Sequence, residues 1–106
     1  MILTGSEILN EVKKKMILIE PFDEKNINPN SYNYTLNEQL IKISSNVNTA
    51  EINEEGIILN EKGYILEPNT LYLGVTNEKI GSIKYATSLI GRSSVGRLGI
   101  HLQISA

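Results

Sequence analysis

The chain has 106 residues, 41% of them hydrophobic, and a formal net charge of -2 at pH 7. This composition suits one domain, 1–106, and excludes disorder by composition; the charge excludes a protein that coats nucleic acid polymers with a broad basic surface. Cysteine is absent and His101 is the only histidine, which excludes disulfides and thiolate metal sites and leaves no set of residues for zinc. No apolar run approaches a membrane span, and the first residues do not read as a secretory leader, so a soluble, cytoplasmic protein is the expectation.

In chain order, Thr4 and Glu7 have the T-x-x-E spacing of a capping box and open a helix. Ile8, Leu9, Val12 and Met16 follow at helical spacing, and Lys13, Lys14 and Lys15 place positive charge where a helix carboxyl end favours it. The helix is expected to end near Lys15. "MILIEP" then reads as a short strand stopped by Pro21, and "DEKNINPN" as a turn-rich segment. "SYNYTL" alternates, with Tyr32, Tyr34 and Leu36 on one side, and Asn37 with Glu38 suggests a tight turn into "QLIKI". "SSNVNTAEINEE" reads as a polar loop with some strand possible, while "GIILN", "GYILEP" and "NTLYLGVT" read as strands. "NEKIGSIKYATSLI" carries turn signals and leads into a glycine- and serine-rich loop, after which Ile100–Ser105 alternates as a strand. Many short strands separated by turns indicate a mainly β sandwich or barrel.

Chemistry concentrates in "GRSSVGR". The eight lysines are scattered, but both arginines, Arg92 and Arg97, fall in one six-residue window. Arginine offers a planar fork of donors suited to phosphate or carboxylate oxygens. Ser93 and Ser94 add hydroxyl donors, and Gly91 and Gly96 are expected to allow backbone conformations that expose N–H groups. In a helical segment the two arginines would point about 140° apart, so they are not expected to grip one group from the same side. No P-loop pattern is present.

"GRSSVGRLGIHLQISA" resembles the central motif of the dCTP deaminase family, within the dUTPase-like superfamily, where G-R-S-S-x-x-R-L-G leads into a strand. "MILTGSEI" resembles that family's first helix, "ILIEPFDEKNINPNSYNYTL" its I-x-P-F…P-x-S-x-D-L region, and "LEPNTLYLGVTNEKI" the strand before the motif. The resemblance runs along the chain and is faintest between Ile43 and Gly56. It implies a dUTPase-like (β-clip) distorted barrel or sandwich with a short N-terminal helix. It also implies a homotrimer with nucleotide sites between subunits, and hydrolytic deamination of dCTP to dUTP and ammonia with Mg²⁺ on the triphosphate and no zinc. By the same resemblance, Ser93 and Arg97 would contact triphosphate or help to position water and base, with Ser94 beside them. Arg92 would act across the subunit interface, and Ala106 would lie at the wall beside the pyrimidine.

Three departures from the family pattern matter. Its aspartate in S-x-D-L is Asn33 and a following glycine is Asn37. The G-x-x-D-P-G-x-x-G-x-x-T-L-E segment, whose glutamate is the family's general base, would follow the position of Ala106. The expectation is therefore a truncated domain that lacks the C-terminal strands, binds dCTP, dUTP or dTTP, and has impaired or absent catalysis. The alternative is a protein-interaction or inhibitor module, of a phage type for example, that uses an exposed C-terminal edge strand. Glu67 and Glu78 are the nearest acids, and both are expected in exposed turns. His101 is expected on the polar side of the last strand.

Overall fold

A computed structural model describes residues 1–46 and 51–102. Its first element is the helix α1, Gly5–Lys13, and the capping box is formed. Thr4 N–H donates to Glu7 Oε2 at 2.7 Å, and Glu7 N–H donates back to Thr4 Oγ1 at 3.4 Å. The helix stops two residues before the expected end. Lys15 takes a positive φ of 60°, and the N–H groups of Lys15 and Met16 donate to the carbonyls of Val12 and Glu11. This crossed pair closes a helix at a left-handed residue, a position that glycine usually fills. Ile8 is buried, and Leu9, Val12 and Met16 are half-buried.

Two antiparallel sheets follow. Strand β1, Ile17–Glu20, pairs with β5, Lys79–Ser82. Strands β2, Leu36–Asn46, β3, Glu51–Ile58, and β4, Leu71–Thr76, form a sheet in the order β3-β2-β4. The protein is thus mainly β with a short N-terminal helix, as the sequence indicates. The sheets do not close into a barrel among the described residues.

Several elements differ from the sequence reading, each for a local reason. Asn37 and Glu38 do not make a turn but lie inside β2, where the register against β4 shifts between Leu36 and Leu40. A turn signal inside a strand is here absorbed as a bulge. Asn37 Oδ1 accepts from Gln39 N–H, two residues on, and its amide donates to Asn77 Oδ1. "SYNYTL" is not a continuous strand, because Tyr32 makes a single bridge with Ile27 before β2 begins at Leu36. "GYILEP" has no strand neighbour among the described residues. It follows a turn in which Gly63 N–H donates to Asn60 O, with Gly63 at φ 76°. The segment is tethered by Tyr72 Oη, which accepts from Glu67 N–H, and by a 2.7 Å ion pair between Lys42 and Glu67. The final strand is also absent where it is described. Ile100–Leu102 has no regular structure, and 103–106 lie outside the described residues. Alternation alone does not make a strand, since an extended segment needs a neighbour for its N–H and C=O groups.

Register assigns the side chains of the larger sheet to two faces. Ile41 lies opposite Leu73 and Gly56, and Ile43 opposite Leu71 and Glu54. With Ile52, Ile58 and Val75 by alternation, these form an aliphatic face. The other face holds Leu40, Ile57, Lys42, Tyr72 and Gly74. Leu40 is buried there, and a Cβ on Gly74 would lie 2.8 Å from Leu36 Cδ1.

The segment between β1 and β2 packs back on α1. Phe22 and Tyr32 stack with ring centres 5.7 Å apart, and Asp23 N–H donates to Tyr32 Oη. Gly5 N–H donates to Pro29 O at 2.9 Å, and a Cβ on Gly5 would lie 2.5 Å from Asn28 O. Gly→Ala normally stabilises a helix by about 1 kcal/mol. Here the clash with backbone reverses the sign, so Gly5→Ala should destabilise by about 1–3 kcal/mol, read as a lower midpoint in urea unfolding.

Glu78, expected to be exposed, is buried at 6% exposure. Its carboxylate accepts from Thr35 N–H at 3.0 and 3.1 Å and from Thr35 Oγ1 at 2.9 Å. Burial pushes its pKa up, but the Thr35 backbone and hydroxyl bonds outweigh burial and hold it below 4.5. A carboxyl with a depressed folded-state pKa adds stability above its unfolded pKa and loses it as pH falls through the folded value. Stability should therefore decline as pH falls below the ordinary glutamate pKa, about 4.3, and Glu78→Gln should flatten that part of a stability-against-pH curve.

Candidate active site

The segment read as a loop contains a short helical turn, α2, Ser93–Gly96. Arg92 precedes it with extended backbone, at φ -85° and ψ 136°, and Arg97 caps its end. Gly99 N–H donates to Gly96 O, and Ile100 N–H donates to Val95 O, with Gly99 at φ 82°. This is the closure seen at Lys15, now with the residue type that favours it.

Gly96, expected with Gly91 to expose its N–H, instead donates it within the turn to Arg92 O at 2.9 Å. Gly91 and Gly96 do not take left-handed conformations; Gly99 does. A Cβ on Gly91 or Gly96 would meet nothing within 4 Å. The "R-L-G" order was the available signal, since glycine just after a helical stretch marks a stop.

Arg92, Ser93, Ser94 and Arg97 are exposed, while Val95 and Gly96 are half-buried. The four polar side chains take part in none of the side-chain hydrogen bonds or ion pairs found among the described residues. Ser94 and Arg97 are three residues apart across the turn, the spacing of neighbours on a helix surface. Arg92 stands before the turn on extended backbone. The turn thus presents two guanidinium forks and two hydroxyls without side-chain partners among the described residues, a donor set suited to a polyanion.

The turn sits on an arm. After β5 the backbone is still held at Ile83, whose N–H donates to Met16 O, and at Lys84 and Tyr85, whose N–H groups donate to Ser82 Oγ. Beyond Tyr85, each hydrogen bond found among the described residues joins two members of Arg92–Ile100. Two clefts of about 330 Å³ open in the body, one lined by Val12, Lys15 and β1, the other by Lys42–Ser44 and Asn69–Leu71. Neither includes a residue of the turn.

Of the other residues singled out from sequence, His101 is exposed and in no strand, and Ala106 lies outside the described residues. Leu98–Leu102 forms no strand, and the rest of the expected C-terminal edge strand lies outside the described residues. Asn33, which stands where the family pattern has aspartate, is paired with Asn28. Asn28 Nδ2 donates to Asn33 Oδ1 at 2.7 Å, and Asn33 Nδ2 donates back at 3.4 Å. An amide can do both, whereas a carboxylate could only accept. Glu67 and Glu78 are both engaged, the first with Lys42 and the second with Thr35. No three His, Cys, Asp or Glu side chains gather to hold a metal ion among the described residues. The cationic turn likewise does not suit a protein-built Mg²⁺ cage, which needs oxygen ligands. No helix among the described residues is long and apolar enough to cross a membrane.

A left-handed conformation costs an L-residue about 1–2 kcal/mol, so Gly99→Ala should loosen the turn. Amide hydrogen exchange at Gly99 and Ile100 should accelerate, with the thermal midpoint of the body unchanged.

Comparison with known proteins gives this arrangement its context. The model of a family described as dCTP deaminase-like matches residues 2–106. The dUMP-forming dCTP deaminase of Clostridium botulinum (strain Alaska E43 / Type E3) is 49% identical over 108 residues. Proteins of the same name from Clostridium beijerinckii and Leptospira biflexa are 46% and 44% identical over 108 and 115 residues. Each alignment covers 100% of this chain and 62% of the relative. The chain spans less than two thirds of the length of these relatives, and on the match of nearly all its residues it belongs to the dCTP deaminase-like family.

Proposed function

We propose that this chain carries the triphosphate-binding turn of a dCTP-handling site in pyrimidine deoxynucleotide metabolism. The observation behind this reading is the set of exposed donors on Arg92, Ser93, Ser94 and Arg97, unengaged among the described residues, in a chain 49% identical to a protein named a dUMP-forming dCTP deaminase. Arg97 and Ser94, adjacent across the turn, would hold phosphate oxygens from one side. Arg92, on extended backbone before the turn, would reach another part of the ligand or the neighbouring subunit of a homotrimer. Ser93 would bond to a phosphate or to the reacting water, and Ala106 would wall the pyrimidine. Mg²⁺ would arrive on the triphosphate, since the cationic turn has no carboxylate to offer it.

The product expected from sequence was dUTP; the relatives' name gives dUMP. Conversion of dCTP to dUMP would consume two waters, releasing ammonia from the ring and diphosphate from the α-phosphate. Each attack calls for a base within hydrogen-bond reach of its water. Glu67 is tied to Lys42, and Glu78 is buried against Thr35. Neither is placed to serve at the turn. The 106 residues by themselves would therefore bind dCTP, dUTP or dTTP without turning it over.

Calorimetric titration of the 106-residue chain with dCTP and Mg²⁺ tests the reading. Saturable binding is expected, weakened at least about tenfold in Arg97→Ala, the loss of one charge-assisted contact of about 1.5 kcal/mol or more. Equal affinity in the two proteins, or no binding by folded chain, would overturn it. Release of ammonia or dUMP by the isolated chain would overturn the absence of turnover.

A further inference from the structure

The root of the arm is built around one hydroxyl. Ser82 is half-buried at the end of β5, opposite Ile17 of β1. Its Oγ donates to Met16 O at 3.1 Å and accepts from Lys84 N–H at 3.1 Å and from Tyr85 N–H at 2.8 Å. A hydroxyl has one donor and two acceptor sites, so Ser82 is fully engaged. One bond ties it to the end of α1, and the other two bend the backbone just after β5.

Met16 O is itself a fixed point. The left-handed closure at Lys15 brings Met16 N–H to Glu11 O at 2.9 Å, and Ile83 N–H adds a second bond to Met16 O at 3.2 Å. The Lys84 side chain turns the same way, with its ammonium 3.9 Å from Oε2 of the buried Glu11. The end of the helix, the end of the strand and the first residues of the arm thus meet at Ser82. Every contact of this junction lies between Glu11 and Tyr85.

We propose that Ser82 is a positioning residue for the Arg92–Arg97 turn, because its hydroxyl fixes the direction in which the arm leaves the body. Leverage makes the root decisive. Arg92 follows Tyr85 by seven residues. A segment of that length reaches at most about 25 Å, so a swing of about 30° at its root would move the tip of an extended arm by roughly 12 Å. A charge-assisted bond to a phosphate oxygen tolerates far less, since donor and acceptor must stay about 3 Å apart. Removing the hydroxyl leaves Lys84 N–H and Tyr85 N–H without their acceptor and takes one donor from Met16 O, so the bend opens. The consequence for binding rests on the turn being a nucleotide site; the direction of the arm does not.

The chain has no cysteine, so nitroxides at Asn10→Cys on α1 and at Leu98→Cys, both exposed positions, report the distance from body to turn by double electron–electron resonance. Without nucleotide, Ser82→Ala should broaden the distance distribution or shift it by about 5 Å or more, well inside the swing that the arm's length allows. Ser82→Thr, which keeps the hydroxyl, should leave it as in the parent. In titration with dCTP and Mg²⁺, an arm that points correctly about a third of the time or less binds at least about threefold more weakly. Ser82→Ala should lose that much affinity and Ser82→Thr should not. Unchanged distances, or unchanged dCTP affinity, in folded Ser82→Ala would overturn the proposal; a merely structural hydroxyl would lower only the midpoint of urea unfolding. A Ser82→Thr protein as altered as Ser82→Ala would overturn it too. If circular dichroism shows Ser82→Ala to be unfolded, Ser82→Thr against Ser82→Val decides, since the two share a shape and differ in the hydroxyl. A folded parent that does not bind dCTP sinks the nucleotide reading, and the distances then decide by themselves whether Ser82 directs the arm.

Discussion

The buried carboxylate of Glu78 joins the two halves of the molecule. It lies just before β5, and its bonds run to Thr35, just before β2. One side chain therefore fixes where the first strand of the larger sheet begins relative to the pairing of β1 with β5. Asn77, next to it, adds bonds to Thr35 Oγ1 and Leu36 O and accepts from Asn37. An acid taken out of water is tolerable only with such satisfaction, and here three donor contacts supply it. The polar junction thereby compensates for a small apolar core, in which the buried hydrophobic residues among those described are Ile8, Ile19 and Leu40.

Glu11 shows the same principle less completely. It is buried on α1, and its Oε2 has no hydrogen-bond partner among the described residues. The ammonium groups of Lys14 and Lys84 stand 3.9 Å from its two oxygens, and Lys84 also lies over the Tyr85 ring. These charges balance the acid at a distance and pull Lys84 toward the helix. The arm is thus anchored to the body at its root by Lys84, Tyr85 and Ile83. Farther out, α2 is held by its own closure at Gly99, with Arg92, Ser93, Ser94 and Arg97 exposed.

The sequence disclosed those parts of the fold that depend on neighbours in the chain. The capping box of α1, the strands at Ile17–Glu20 and Leu71–Thr76, and the clustering of Arg92, Ser93, Ser94 and Arg97 rest on local spacing and side-chain chemistry. Where it misled, a distant partner decided. "GYILEP" and Ile100–Leu102 have strand-like patterns but no adjacent strand. Asn37 carries a turn signal but sits in a ladder that absorbs it as a bulge. The helix end was displaced because Lys15 takes a left-handed conformation without the glycine that would have marked it.

By itself, then, the sequence determined the mainly β class, the N-terminal helix, the family and the clustering of Arg92, Ser93, Ser94 and Arg97, because composition, short-range periodicity and motif order are properties of the chain alone. Tertiary structure decided which alternating segments became strands and that Glu78 is buried while Glu67 stays exposed beside Lys42. It also decided which face of β3-β2-β4 is left apolar and open. Those outcomes turn on hydrogen-bond partners and burial supplied by residues far away in the chain, 43 positions in the pairing of Thr35 with Glu78 and 66 in that of Met16 with Ser82. No local pattern encodes contacts at that separation.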